Sequence, residues 1–386
     1  MTTKSERPTP AKMLRPEPEG LKIPFVNPRK AYRILKPELD AAYFDVMSNG
    51  DLIDRRHLRS FEENLARFVG TRFAVGLNSG YDALHLSLRA AGIGPCDEVV
   101  VPAHTFVATA SAVVNAGAIP VLVDVGANFN IDCEQIEEAI TDRTRCLVPV
   151  HLNGFMADMP RMMEIARKHD LVVVEDACQS LGASVQGRRA GAWGLTGCWS
   201  FYPFKILGGY GDGGAITTDS EEVYTFARRM RYNGEDRQTG EYHGHGFTCL
   251  LDNLQAAFLD VKLRHLPAWI ERRREVAERY RQGLSELPDL QLPHYDRPGF
   301  EHVYQNYVVR SRHGDGFSNH VKAGGVGVLT QFRKPYYRHQ ALKLANRGFP
   351  ETEALSREVC SLPMHPELSD EEVDYVVSVV RAFYRR

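Results

Sequence analysis

Residues 73–125 read FAVGLNSGYDALHLSLRAAGIGPCDEVVVPAHTFVATASAVVNAGAIPVLVDV. Short apolar runs at 73–77, 98–101 and 119–123 alternate there with stretches of helical spacing at 81–91 and 107–116. The pattern continues downstream: 146–150 and 171–174 read as strands, 133–140 and 159–169 as helices, and 197–201 and 214–217 as two further strands. Such alternation predicts a mostly parallel sheet wrapped by helices on both faces. A long amphipathic segment follows at 252–287, with Leu254, Phe258, Val261, Leu266, Ile270 and Val276 on its apolar side and the charge run 271–275 on a solvated face. Beyond it, 305–310 and 326–331 read as strands and 370–384 as a closing helix, which makes a second, smaller α/β domain. The expected division is a flexible Pro-rich tail at 1–20, a large domain at 21–260, and the long helix with the small domain at 261–386.

Composition narrows the function classes. With 43% hydrophobic and 25% charged residues, the chain has the make-up of a soluble globular enzyme. A formal net charge of −2 gives no field that favours nucleic acid or an anionic membrane. No apolar run approaches a membrane span, and the N-terminus lacks a charged-then-apolar signal pattern, so a cytoplasmic location is expected. Seven scattered cysteines form no CxxC pair, and an odd number does not suggest a disulfide framework. Fourteen histidines include no HExxH and no zinc-ligand spacing, so no metal is expected.

In open α/β sheets, ligands gather at the carboxyl ends of the strands. The buried-type strand Leu171-Val-Val-Val-Glu-Asp176 ends in two acids and is followed by Ala177, Cys178 and Gln179. A magnesium-holding acid of a P-loop enzyme would need GxxxxGK[ST], which is missing; a dinucleotide-binding acid would need GxGxxG about twenty residues earlier, also missing. The third reading is a carboxylate paired with the protonated ring nitrogen of pyridoxal phosphate. That reading needs a lysine nearby in space. Ser200-Phe-Tyr-Pro-Phe-Lys205 leaves a short strand and enters Gly208-Gly-Tyr-Gly-Asp-Gly-Gly214, where small residues let the backbone approach a ligand and Ser200 adds a hydroxyl for a phosphate. A snorkelling surface lysine would explain Lys205 alone, but not Lys205 together with Asp176. Leu77-Asn-Ser79-Gly80-Tyr81 ends a strand and opens a helix expected to begin at Asp82, which offers N–H groups to an anion and is equally an ordinary N-cap. Phe106 follows another strand end, where it is placed either to stack on a pyridine ring or to join the core.

At these residues the chain resembles the DegT/DnrJ/EryC/StrS family of pyridoxal-phosphate sugar aminotransferases. The strongest blocks are the 78–125 portion of the opening stretch, VVVEDACQSLGA, SFYPFKILGGYGDGGAITT and LPMHPELSDEEVDYV, in the same order. The resemblance implies the fold-type I aminotransferase architecture and a homodimer with active sites at the interface. It implies Lys205 as the Schiff-base lysine and proton carrier, Asp176 on the pyridine nitrogen and Gln179 on the ring's phenolic oxygen. Ser200, Gly80 and Tyr81 would hold the phosphate, and Phe106 would stack on the ring. The chain departs from the family pattern at Tyr81 for Thr, at Phe204 and Ile206 beside the lysine, and at Gly246-Phe-Thr248-Cys-Leu250 for Gly-Tyr-Asn-x-Arg. Thr248 would then partly replace an asparagine that reaches the neighbouring subunit's phosphate. The implied reaction moves an amino group from L-glutamate or glutamine to a keto group on a nucleotide-linked sugar. A keto-cyclitol acceptor and a non-catalytic regulatory relative are the rivals.

Overall fold

The computed structural model describes residues 20–293, 297–344 and 347–385; the tail expected at 1–20 falls, apart from Gly20, outside the described residues. Seven strands form the central sheet: β1 (Phe73–Leu77), β2 (Glu98–Pro102), β3 (Ile119–Val123), β4 (Thr144–Leu147), β5 (Val172–Asp176), β6 (Thr196–Ser200) and β7 (Gly214–Thr218). Their order is β1-β7-β6-β5-β4-β2-β3, parallel throughout except for β7, which runs antiparallel to both β6 and β1. The carboxyl ends of the other six strands therefore share one edge.

Alternation along each strand divides the apolar residues between two cores. On one face Val75, Val101, Val174 and Ile216 pack under α3 (Gly80–Ala90) and α4 (Val107–Asn115). On the other, Val100, Leu147, Val173 and Trp199 share a core with α2 (Arg56–Val69), the helix Met159–Lys168 and the long helix Asn253–Leu284. Buried Glu62 of α2 accepts the Gly76 N–H at 2.7 Å and pairs with buried Arg231, which donates to the Gly76 carbonyl at 2.9 Å. This pairing ties the edge strand β1 to α2 through the backbone of Gly76. A third core, around Tyr280, Tyr307, Phe317 and Val376, underlies the smaller C-terminal α/β region with its three-stranded antiparallel sheet.

Several expectations shift. Residues 326–331 do not form a strand: Val326 makes one bridge to Ile23 and Leu329 one to Ser361, so the partner changes sides within a turn of chain. Gly325 has φ +77° and Gly327 lies against the Phe25 backbone, which prevents a continuous ladder. The strand expected at 146–150 spans Thr144–Leu147; Pro149, with no N–H, interrupts the ladder, which resumes as a single bridge between Val150 and Asp176. Residues 133–140 are a 3₁₀ turn (Cys133–Gln135) followed by one helical turn (Ile136–Ala139). Helix α3 begins at Gly80, two residues before Asp82, because Ser79 is extended and caps it.

Candidate active site

Two acids in succession on a pleated strand must face opposite ways. Glu175 is fully buried; its carboxylate accepts N–H groups of Gly191 (2.9 Å), Trp193 (2.6 Å) and Gly194 (2.8 Å), and lies 2.9 Å from His151 Nε2. His151 Nδ1 accepts the Ala157 N–H at 3.2 Å, so the proton sits on Nε2 and the ring donates to Glu175. Glu175 thus holds the 191–194 turn, and only Asp176 faces the strand-end edge.

Asp176 Oδ2 accepts the hydroxyl of Thr109 at 2.8 Å, and among the described residues Oδ1 takes a long contact of 3.3 Å from the Cys178 N–H. Gln179, also buried, accepts the Asn153 N–H on its oxygen at 2.9 Å. Its amide nitrogen is therefore the end it can offer to a ligand. Lys205 sits in the turn after β6, where its N–H donates to the Tyr202 carbonyl at 2.8 Å and the Gly209 N–H returns to the Phe201 carbonyl at 2.7 Å. Burial lowers the Lys205 pKa, opposed by the electrostatic influence of Cys178 and Asp176, so amine and carboxylate are neighbours in space.

The start of α3 closes the group. A Cβ on Gly80 would lie 2.8 Å from both Cys178 Sγ and Ser200 Cβ, so only glycine lets the helix meet the ends of β5 and β6. Ser79 Oγ accepts the Asp82 N–H at 3.1 Å and the Ser79 carbonyl accepts that of Ala83 at 3.2 Å, which leaves the Gly80 and Tyr81 N–H groups at the helix mouth. Ser200, at the end of β6, accepts the Tyr202 N–H at 3.4 Å.

Other expected site residues lie differently. The Tyr81 hydroxyl accepts from Asn115 at the far end of α4, at 2.5 Å, so the side chain is turned away and only its backbone belongs to the helix mouth. Phe106 caps α4 and is 59% exposed. Thr248 is exposed, and its hydroxyl donates to Asn233 Oδ1 at 3.0 Å, while Cys249 beside it accepts the Asn78 N–H at 2.9 Å. Sequence reasoning missed Thr109, His151 and Asn153. Thr109 had a signal: it stands one helical turn beyond Phe106.

These residues match what pyridoxal phosphate requires. A carboxylate with a lightly used oxygen suits a ring N–H, an amine of lowered pKa suits an aldehyde, and an uncapped pair of N–H groups at a helix start suits a phosphate. Comparison with known proteins agrees. A family model, the DegT/DnrJ/EryC1/StrS aminotransferase family, matches residues 34–381. The chain belongs to that family. Over 372 residues it is 38% identical to a pleiotropic regulatory protein of Geobacillus stearothermophilus, covering 95% of this chain and 99% of that protein. It is 39% identical to the dTDP-3-amino-3,4,6-trideoxy-alpha-D-glucose transaminase of Streptomyces venezuelae, covering 95% and 98%. The fold superposes on the crystal structure of S. venezuelae DesV in complex with a ketimine intermediate with TM-score 0.91 and 39% identity, over 94% of this chain and 99% of that one. This family member is a pyridoxal-phosphate-dependent aminotransferase with the fold-type I architecture. Among the described residues, no helix is long and apolar enough to cross a membrane.

Gly80→Ala places a methyl group against Cys178 and Ser200, an overpacking expected to cost about 1–3 kcal/mol. The melting temperature should fall and the dissociation constant for pyridoxal phosphate, from fluorescence titration, should rise. Unchanged values of both would mean that the helix start moves freely.

Proposed function

We propose that this aminotransferase carries an amino group from L-glutamate or glutamine to a keto group of a nucleotide-linked sugar, with Lys205 as the cofactor lysine. The observation that carries the reading is half-buried Lys205, its pKa lowered by desolvation, under the electrostatic influence of a buried Asp176 whose Oδ1 is lightly used. Similarity to a dTDP-sugar transaminase across almost the whole chain supports the acceptor class. A regulatory role, suggested by the Geobacillus relative, does not by itself account for a paired Lys205 and Asp176. A keto-cyclitol acceptor is the other rival, separated by testing a panel of ketones.

Bound here, pyridoxal phosphate supplies a carbonyl carbon that takes up the amino group and a ring that spreads the charge left on the donor carbon. The protein's part follows from its own groups. Asp176 Oδ1 holds the proton on the ring nitrogen, while Thr109 keeps Oδ2 satisfied and the carboxylate oriented. Gln179 donates from its amide nitrogen to the phenolic oxygen, since its oxygen is taken by Asn153. The Gly80 and Tyr81 N–H groups and the Ser200 hydroxyl would hold the phosphate, and exposed Phe106 would be available to the ring. Lys205 moves the proton: burial lowers its pKa and favours the free amine that a base must present.

A second copy of the chain completes the site. Tyr43, Phe44, Met47, Leu52 and Ile53 are exposed on and after the helix Pro28–Asn49, as are Tyr202, Phe204 and Tyr210 of the Lys205 turn. Tyr210 joins the two groups, with its ring 6.4 Å from Tyr32 and 5.4 Å from Phe258. An apolar surface of this kind around an active site favours a symmetric partner, and Thr248 would reach the partner's phosphate.

Borohydride reduction of the holoenzyme should fix a pyridoxyl label on Lys205, and the pyridoxamine form should lose its amino group only with a suitable keto-sugar. A label on another lysine, or no turnover with any sugar ketone, would defeat the reading. Asp176→Asn should keep the cofactor but lose most turnover, because a charge-assisted bond worth about 1.5–3 kcal/mol disappears before catalysis is counted; a near-normal kcat would remove Asp176 from its role. Inactive Lys205→Ala and Thr248→Trp chains, once mixed, should regain activity through hybrid dimers with one intact site. If subunits exchange and no activity returns, Thr248 does not act across the interface.

A further inference from the structure

One side chain from far along the sequence brackets Lys205. Gln305 Nε2 donates to the Phe204 carbonyl at 2.9 Å, and Gln305 Oε1 accepts the Ile206 N–H at 2.5 Å. Both contacts are made to the peptide groups flanking the lysine, and Gln305 is 7% exposed. If the amide were turned over, donor would face donor and acceptor would face acceptor, so the two bonds fix its orientation together.

Gln305 is itself held by a strained turn. Asn153 and Gly154 have φ of 60° and 92°, and a Cβ on Gly154 would lie 2.6 Å from the Gln305 nitrogen. The Gly154 carbonyl accepts the Val303 N–H at 3.1 Å, the Asn153 carbonyl accepts that of Asn306 at 3.3 Å, and the two asparagine side chains meet at 3.0 Å. The same Asn153 donates its N–H to Gln179. A single turn thus sets both Gln179, beside Asp176, and Gln305, beside Lys205. Farther along the lysine turn, Lys262 Nζ donates to the Gly208 carbonyl at 2.6 Å and fixes the other end.

We propose that Gln305 is a positioning residue for Lys205: it clamps the backbone on both sides of the lysine and so sets where the amine can reach. The proposal rests on the reading of Lys205 as the cofactor lysine. A side chain with four rotatable carbons can sweep widely, so precise placement of its amine needs a fixed base, and misplacement by about 1 Å is enough to cost up to about 100-fold in rate. The clamp also ties the lysine to the C-terminal part of the chain, which supplies Gln305.

Two variants separate positioning from mere support. Gln305→Leu is apolar, its side chain one atom shorter, and loses both bonds. Gln305→Glu keeps both bonds when its carboxyl is protonated, and sets a carboxylate against the Phe204 carbonyl when it is not. Holoenzymes are compared by steady-state kinetics, by borohydride labelling, and by pH titration of the visible absorption band. The label should remain on Lys205 throughout. For Gln305→Leu, kcat should fall about 10- to 100-fold with less than about a threefold change in KM for the donor, and the absorption midpoint should move. For Gln305→Glu, kcat relative to wild type should recover as pH falls and decline as pH rises. A folded Gln305→Leu enzyme with wild-type kcat and midpoint overturns the proposal. If that variant does not fold, a Gln305→Glu enzyme with a pH-independent ratio to wild type overturns it. Absence of the label from Lys205 in the wild-type protein would instead overturn the functional reading itself.

Discussion

Two carboxylates stand next to each other at the end of a central strand, both away from water. A buried carboxylate costs several kcal/mol unless its charge is matched by donors, so each of the two needs its own solution. The pleat sends them to opposite faces. Glu175 is surrounded by three backbone N–H groups and the His151 ring, which makes it a structural anion that organises a turn. Asp176 has one good donor in Thr109 and a long contact from Cys178, so part of its bonding capacity faces the strand-end edge. That asymmetry separates scaffold from site within two residues.

The remainder of the site is arranged around that carboxylate by close backbone approach. Gly80 lets a helix start touch Cys178 and Ser200, and a Cβ on Gly214 would lie 2.3 Å from the Ser79 carbonyl carbon, so β7 also runs against the same point. The Lys205 turn has few side-chain anchors of its own and is secured from outside, by Gln305 and by Lys262. Burial pushes the Lys262 pKa down to about 8, and its ammonium lies 4.0 Å from the centre of the Tyr210 ring. The turn is therefore fixed in place while the aromatic groups Tyr202, Phe204 and Tyr210 remain on the surface.

Much of this was legible in the sequence where the signal is local. Strands at 73–77 and 119–123 match the structure at both ends, because an apolar run bounded by turn residues leaves little choice of register. The closing helix at 370–384 matches as well, and Ser369 with Glu372 forms a capping box there. Asp176 and Lys205 could be paired from strand-end logic and charge alone. Residues 326–331 misled because their β-branched composition suits a strand, while glycines at 325 and 327 and two different partners decide the outcome. For Tyr81, no local pattern could reveal that Asn115 holds its hydroxyl.

By itself, then, the sequence determined the α/β class and the order of the main elements, and it singled out Asp176 and Lys205 as candidates, because periodicity and strand ends are written in neighbouring residues. Tertiary structure alone decided which of two adjacent acids faces the site, which end of Gln179 is free, and which distant side chains hold the Lys205 turn. Those outcomes depend on hydrogen-bond partners such as Thr109, Asn153 and Gln305, which lie far apart in the chain. Buried donors and acceptors must be paired somewhere, and only the folded backbone determines with whom.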